Sequence, residues 1–123
     1  MDLDQRDIDT ILGSPSLDDI IQERIGHKYD QNKPIAGALQ DMGLALLEVS
    51  KLLTFGEKKY ARSSWLHVPN GHQRYTDALM RHLLLENTEF SDPETSLGHD
   101  VAVATNALFR LELRLRRERA HKI

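Results

Sequence analysis

Apolar residues recur along the chain at helical rather than strand spacing, in long runs separated by polar stretches that carry the Gly and Pro residues. Residues 35–53 read IAGALQDMGLALLEVSKLL, apolar almost all round, which predicts a helix covered by more than one neighbour. Pro34 suits its first turn, and Phe55-Gly56 its end. Its acids, Asp41 and Glu48, are seven apart on one face with Gly37, Leu44, Leu52 and Phe55. A carboxylate in so apolar a stripe needs a partner, either a salt bridge or a metal ion.

A second helix is predicted from Tyr75 to Glu89. Leu79, Met80 and Leu83 form its apolar side, and His82, Glu86 and Glu89 fall within about 60° of one another on another side. Asp77 and Arg81 have the spacing of an i,i+4 ion pair. Asp92-Pro93-Glu94-Thr95 then ends one helix and prepares the next, with Thr95 or Ser96 as cap. A third helix is expected from Leu97 to about Arg117, where Ala102, Ala104 and Ala107 permit close approach to a neighbour. Between the first two helices, residues 61–72 form a long loop that carries the sole Trp, Trp65, a residue type that either stacks on a base or closes a core edge. Near the start, Ser16 and Asp19 resemble a cap for a short helix with Leu17, Ile20, Ile21 and Ile25 on its apolar face. The expected organisation is an arm over residues 1–25 and a helical domain over 26–123. The fold class is all-α, a small helical bundle completed by oligomerisation to a dimer or tetramer, because the run at 35–53 asks for more cover than a 14.1 kDa chain supplies.

With 123 residues, 40% hydrophobic and 28% charged, the composition is that of one ordinary globular domain. The absence of Cys excludes disulfides, a thiolate nucleophile and a cysteine zinc site. No apolar run approaches the roughly 18 residues of a membrane span, and the acidic start is the reverse of a signal peptide, so the expected location is cytosolic. Net charge is −3 but unevenly placed: residues 1–25 carry seven acids against two bases, and residues 110–123 six Lys or Arg against two Glu. The basic end suits solvent or an acidic segment of the same or a neighbouring subunit better than nucleic acid, which an acidic domain does not generally bind.

The chemistry concentrates between His82 and Asp100. His82, Glu86, Glu89, Asp92, Glu94, His99 and Asp100 fall within fewer than twenty residues. Carboxylates of this density suit Mg²⁺ or Mn²⁺, and Lys28, Lys33, Lys58, Lys59, Arg74 and Arg81 could neutralise phosphates. His82 with His99-Asp100 also matches the opening of a His, His-Asp, Asp phosphohydrolase pattern, although no Asp follows Asp100. His82 and His99 have a second reading as hydrogen-bonding residues at a helix contact.

Four segments in order, GHKYDQNKP, FGEKKYARSSW, RYTDALMRH and EFSDPETSLGH, resemble the motifs of the phage and bacterial dATP/dGTP diphosphohydrolase N-terminal domain family, grouped with the MazG-like all-helical nucleotide pyrophosphohydrolases. The resemblance covers about residues 26–112. It implies a helical, oligomeric enzyme that uses Mg²⁺ or Mn²⁺ to cut a deoxynucleoside triphosphate between its α- and β-phosphates. Glu48, Glu89, Asp92 and Glu94 are the metal ligands this implies, with Glu48, Glu89, Asp92 and Arg81 as the catalytic set. Lys28, Tyr29, Asp30, Lys33, Lys58, Lys59, Trp65, Arg74, Asp77, His82, His99 and Asn106 are the matching substrate-side positions. The chain has Thr88-Glu89 where the family has Gly-Glu, and Thr95-Ser96 where it has Ser-Gly. Of the E-x-x-E group on the first helix of MazG-like enzymes only Glu48 is present, since position 51 is Lys51. A nucleotide-binding protein without turnover is the alternative this departure favours.

Overall fold

The computed structural model describes Tyr29 and residues 31–122. The expected arm at 1–25 and the candidates Lys28 and Asp30 lie outside the described residues. The chain divides into two compact units, Met1–Ala36 and Gly37–Ile123. In the first, the described residues are exposed and turn at Asn32, whose φ of 67° an Asn side chain tolerates better than most. Tyr29 and Lys33 belong to this unit.

The second unit is all-α among the described residues. A 3-10 segment, Ala36–Met42, leads into α1 (Gly43–Lys59); a 3-10 turn, Ser64–His67, precedes α2 (Gly71–Leu85); and α3 covers His99–His121. The first apolar run thus becomes α-helical eight residues later than expected. Gly37 and Gly43 weaken that segment's helix propensity, and α1 starts without a side-chain cap. At its other end α1 passes through Gly56, because Glu57, Lys58 and Lys59 are good helix formers and the two lysines lie beside the last carbonyls.

α2 and α3 form an antiparallel hairpin, shown by side-chain contacts that step along both helices. His82 meets His99, Arg110 donates to Thr76 Oγ1 at 2.8 Å, and Gly71 approaches Leu113. A Cβ on Gly71 would stand 3.3 Å from the Tyr75 ring and 3.4 Å from Leu113, so the start of α2 is drawn close to α3 by the lack of a side chain. α2 begins four residues before the expected Tyr75 because Asn70, in the left-handed conformation with φ 54°, turns the chain directly into Gly71. It stops at Leu85 rather than Glu89. The Leu85 carbonyl accepts from the backbone of Thr88 and of Glu89, both at 2.9 Å, and from the Thr88 hydroxyl, which closes the helix end. α3 starts at His99 with Gly98 at its cap position, not with Thr95 or Ser96.

α1 packs against α3 through Val49 and Leu53, which line an apolar groove of about 250 Å³ with Leu108, Leu111 and Leu115. Trp65, from the connecting loop, stacks on Phe109 with ring centroids 4.2 Å apart, and Tyr75 tilts against the same ring at 4.9 Å. The core is thin. Val49 and Ala102 are the buried apolar residues among those described, while Leu44 (87% exposed), Leu47 (62%), Leu84 and Phe90 face outward.

Candidate functional site

Asp92 is fixed by the turn that the Asp-Pro pair initiates. Its N–H donates to the Leu97 carbonyl at 2.8 Å, its carbonyl accepts from Ser96 N–H at 2.8 Å, and Oδ1 accepts from Glu94 N–H at 2.9 Å. Ser96 at φ 64° and the Thr95 hydroxyl, which accepts from Leu97 N–H, complete the turn. Oδ2 is thereby left to face the hairpin, 4.0 Å from His82 Nδ1. His82 stands in the last turn of α2, and His99 is the first residue of α3. The hairpin brings their Nδ1 atoms to 2.9 Å. His99 is 2% exposed, and its Nε2 donates to Glu89 Oε2 at 2.7 Å. Neutral His99 then carries a lone pair on Nδ1, so the hydrogen between the two rings belongs to His82. Burial holds His82 below the ordinary imidazole range, with His99 and Arg81 adding to the lowering and Asp92 opposing it.

His82 and Asp92 form part of the wall of a cavity of about 700 Å³, with His99 buried behind them. The cavity is bounded by the end of α1, the Trp65 loop, one side of α2, the acidic turn and the middle of α3, and its volume is that of an ordinary small-molecule site. Eight of the residues singled out in the sequence meet here: Lys59, Trp65, Arg74, Arg81, His82, Asp92, Glu94 and Asn106. Lys59 pairs with Glu94 across the cavity, and that hydrogen bond raises the Lys59 pKa. Neither Arg74 nor Arg81 pairs with a carboxylate among the described residues. The Tyr75 hydroxyl donates to the Trp65 carbonyl at 2.6 Å and holds the loop down, and burial raises its pKa. Trp65 therefore closes a core edge against Phe109 while also lining the cavity.

Other expected residues stand apart. Glu48 pairs with Lys51 at 2.7 Å on the outer side of α1 and does not line the cavity. Asp77 accepts from Gln73 at 3.0 Å instead of pairing with Arg81, whose side chain faces the cavity. Lys58 is exposed in the last turn of α1. Glu89 is not on the helix with His82, and it meets the site from the turn through His99. Asn106 is buried, donating to the Ala102 carbonyl at 2.8 Å. Of the described His, Asp and Glu side chains, His82, Asp92 and His99 are those whose ligand atoms converge, all within 4.8 Å. The density of acids points to this turn, and the pairing of two histidines 17 residues apart is signalled by the partial His, His-Asp pattern and by the reading of both as hydrogen-bonding residues at a helix contact.

No helix among the described residues is long and apolar enough to cross a membrane. No solved structure matches the chain. A dATP/dGTP diphosphohydrolase of Salmonella phage PMBT28 is 34% identical over 85 residues, which are 68% of this chain and 28% of that protein, so the chain spans little more than a quarter of that relative. Residues 23–122 match the family described as dATP/dGTP diphosphohydrolase, N-terminal. The order of the four motifs and the extent of this match agree, and the chain belongs to the dATP/dGTP diphosphohydrolase N-terminal family.

Proposed function

We propose that this domain binds a purine deoxynucleoside triphosphate in the 700 Å³ cavity and hydrolyses it to the monophosphate and pyrophosphate. The observation that carries the reading is the composition of the cavity wall: two arginines without carboxylate partners among the described residues, Arg74 and Arg81, share it with Asp92, Glu94 and His82. A polyphosphate needs the first group, and activating water needs the second. Family membership and the name of the phage relative supply the substrate class.

In this reading Arg81 and Arg74 bind phosphate oxygens, with Arg81 on the leaving pyrophosphate. Lys59, held by Glu94, adds charge at the same side. Water attacks the α-phosphorus, its proton passes to a carboxylate of the acidic turn, and the bond from the α-phosphorus to the bridging oxygen breaks. Two imidazoles and a carboxylate with ligand atoms within 4.8 Å are a donor set that fits a divalent cation. When bound at His82, Asp92 and His99, such an ion supplies positive charge against the triphosphate. Of the expected Mg²⁺ and Mn²⁺, the imidazole nitrogens suit Mn²⁺ better, since Mg²⁺ is held by oxygen ligands and water. Self-association, expected from the first apolar run, is supported by the exposed leucines of α1.

Product analysis with dATP, dGTP and their ribose counterparts tests the proposal. Release of pyrophosphate from a purine deoxynucleoside triphosphate is expected. The Glu48–Lys51 pair, which leaves the first-helix carboxylate outside the cavity, favours the second reading of binding without turnover. Saturable nucleotide binding with no product would select that reading.

A further inference from the structure

We infer that His82, Asp92 and His99 form a site for one first-row transition-metal ion, preferred over Mg²⁺, and that Glu89 positions His99 for it without being a ligand. The inference rests on the cation-site part of the functional reading and not on hydrolysis. Turnover can fail while the site stands, and turnover with an all-oxygen site would leave the function while overturning this assignment.

Three separate elements, the end of α2, the Asp92 turn and the start of α3, each deliver one ligand atom to the same place. Two ligands of one ion at a metal–nitrogen distance of about 2.1 Å lie about 3.0 Å apart at a right angle and about 4.2 Å apart when opposite. The 2.9 Å between the two Nδ1 atoms is close to the first value and the 4.0 Å from His82 Nδ1 to Asp92 Oδ2 is close to the second, with all three ligand atoms within 4.8 Å of one another.

The hydrogen-bond pattern around the three groups points the same way. Glu89 accepts the Nε2 hydrogen of His99, which fixes the tautomer with an Nδ1 lone pair facing the site. Opposite it, His82 Nδ1 offers a second lone pair once its hydrogen moves to Nε2, a neutral tautomer change that releases no proton. An ion between them satisfies both lone pairs at once. Asp92 has Oδ1 committed to its own turn and Oδ2 turned to the histidines. The other acids of the turn are already occupied, Glu94 by Lys59 and Glu89 by His99. Two imidazole nitrogens and one carboxylate suit Mn²⁺, Fe²⁺, Co²⁺, Ni²⁺ or Zn²⁺, whereas Mg²⁺ is held by oxygen ligands and water. A purely structural role, in which the Glu89–His99–His82 chain only bolts α2 to α3, has the same hydrogen bonds but no ion.

Mn²⁺ titration of the chelator-stripped chain, read by calorimetry and by pulsed electron paramagnetic resonance, separates these. One ion per chain is expected, with ¹⁴N couplings from coordinated imidazole and with Mg²⁺ at least ~10-fold weaker in competition. Because His99 is buried and its replacement can disturb folding, the more accessible His82→Gln carries the decision. It is expected to weaken Mn²⁺ binding by about 100-fold or more with the helical circular dichroism retained, while Glu89→Gln weakens it ~10–100-fold and keeps the ¹⁴N couplings. Absence of saturable Mn²⁺ binding, Mn²⁺ binding without ¹⁴N couplings, or undiminished binding by His82→Gln would each overturn the site. Loss of the ¹⁴N couplings in Glu89→Gln would overturn the positioning role.

Discussion

His82 and His99, 17 residues apart, meet Nδ1 to Nδ1 at 2.9 Å, with the far side of His99 bound by Glu89. His82 is half-buried at this contact, and burial disfavours its charged form. The folded, metal-free protein therefore resists protonation of His82, whose pKa burial has already lowered below its ordinary 6.5. Above about pH 6.5 the group is neutral folded and unfolded, and its contribution to stability is whole. As pH falls through the depressed folded value the unfolded state has taken up the proton more readily, and that stability is lost. Urea unfolding of chelator-treated protein at pH 7.5 and pH 5 should show a loss that is smaller in His82→Gln. An equal pH dependence in the two proteins would assign the loss to other groups.

Two glycines should respond in opposite directions to Ala. Gly56 lies inside α1, and among the described residues nothing beyond its chain neighbours and its own helix backbone stands within 4 Å of where a Cβ would be, so Gly56→Ala should stabilise by roughly 0.5–1 kcal/mol. Gly71 meets Tyr75 and Leu113 at 3.3 and 3.4 Å, and Gly71→Ala must push α2 from α3 or move the Tyr75 ring. A loss of about 1–3 kcal/mol is expected, with reduced Trp fluorescence protection because Tyr75 also holds the Trp65 loop. Thermal or urea unfolding checks both, and a destabilised Gly56→Ala would show that the α1 end is not helical in solution.

These cases mark what the sequence carries. The alternation of apolar runs and polar breaks was enough for three helices and their order, because a period of 3.6 depends on each segment alone. Ends were harder. α1 begins late and passes through Gly56, and α2 stops when the Thr88 hydroxyl and two backbone N–H groups turn back on Leu85, an arrangement that competes with helix without changing the apolar pattern. At the site, Asp92-Pro93 announced a turn and its acids. The histidine pair is a product of hairpin register, and Glu48's pairing with Lys51 depends on which way α1 faces in the bundle. Neither is local.

Exposed leucines give the third prediction. Leu44 and Leu47 project from α1 largely uncovered, on the run whose pattern asks for another layer. Sedimentation should show self-association, and Leu44→Glu with Leu47→Glu should shift it toward monomer while helical content stays near that of the parent. A parent that remains monomeric at high micromolar concentration would refute the interface.

Glu48 separates two arrangements of the site. Its carboxylate is paired with Lys51 on the surface and is not among the cavity-lining groups. Removing one member of an exposed i,i+3 pair costs about 0–1 kcal/mol, so Glu48→Gln should alter stability little and change Mn²⁺ affinity by less than about threefold. A fall of a hundredfold in Mn²⁺ binding would restore Glu48 to the ligand set that the family resemblance implies, and would require α1 to turn that face inward when nucleotide and ion are bound.

Arg81 offers the most direct test of how the cavity handles phosphate. It sits one residue before His82 on α2, lines the cavity, and has no carboxylate partner among the described residues, so its charge is not already committed. If it binds the leaving pyrophosphate, its hydrogen bonds strengthen as charge develops on the bridging oxygen. Arg81→Gln should then lower kcat more than it raises KM, with a combined loss near 1.5–3 kcal/mol, or roughly 10–150-fold in kcat/KM. Arg81→Lys keeps the charge but not the planar fork, and should recover only part of the loss. Arg74, on the same helix two turns away, serves as the comparison: a ground-state phosphate contact there raises KM in Arg74→Gln and leaves kcat near the parent value. Steady-state pyrophosphate release over a range of dGTP and dATP concentrations measures all three variants. Arg81→Gln with unchanged kcat, or an Arg81→Lys variant equal to the parent, would remove Arg81 from the leaving-group role and reduce it to one of several charges that attract the nucleotide.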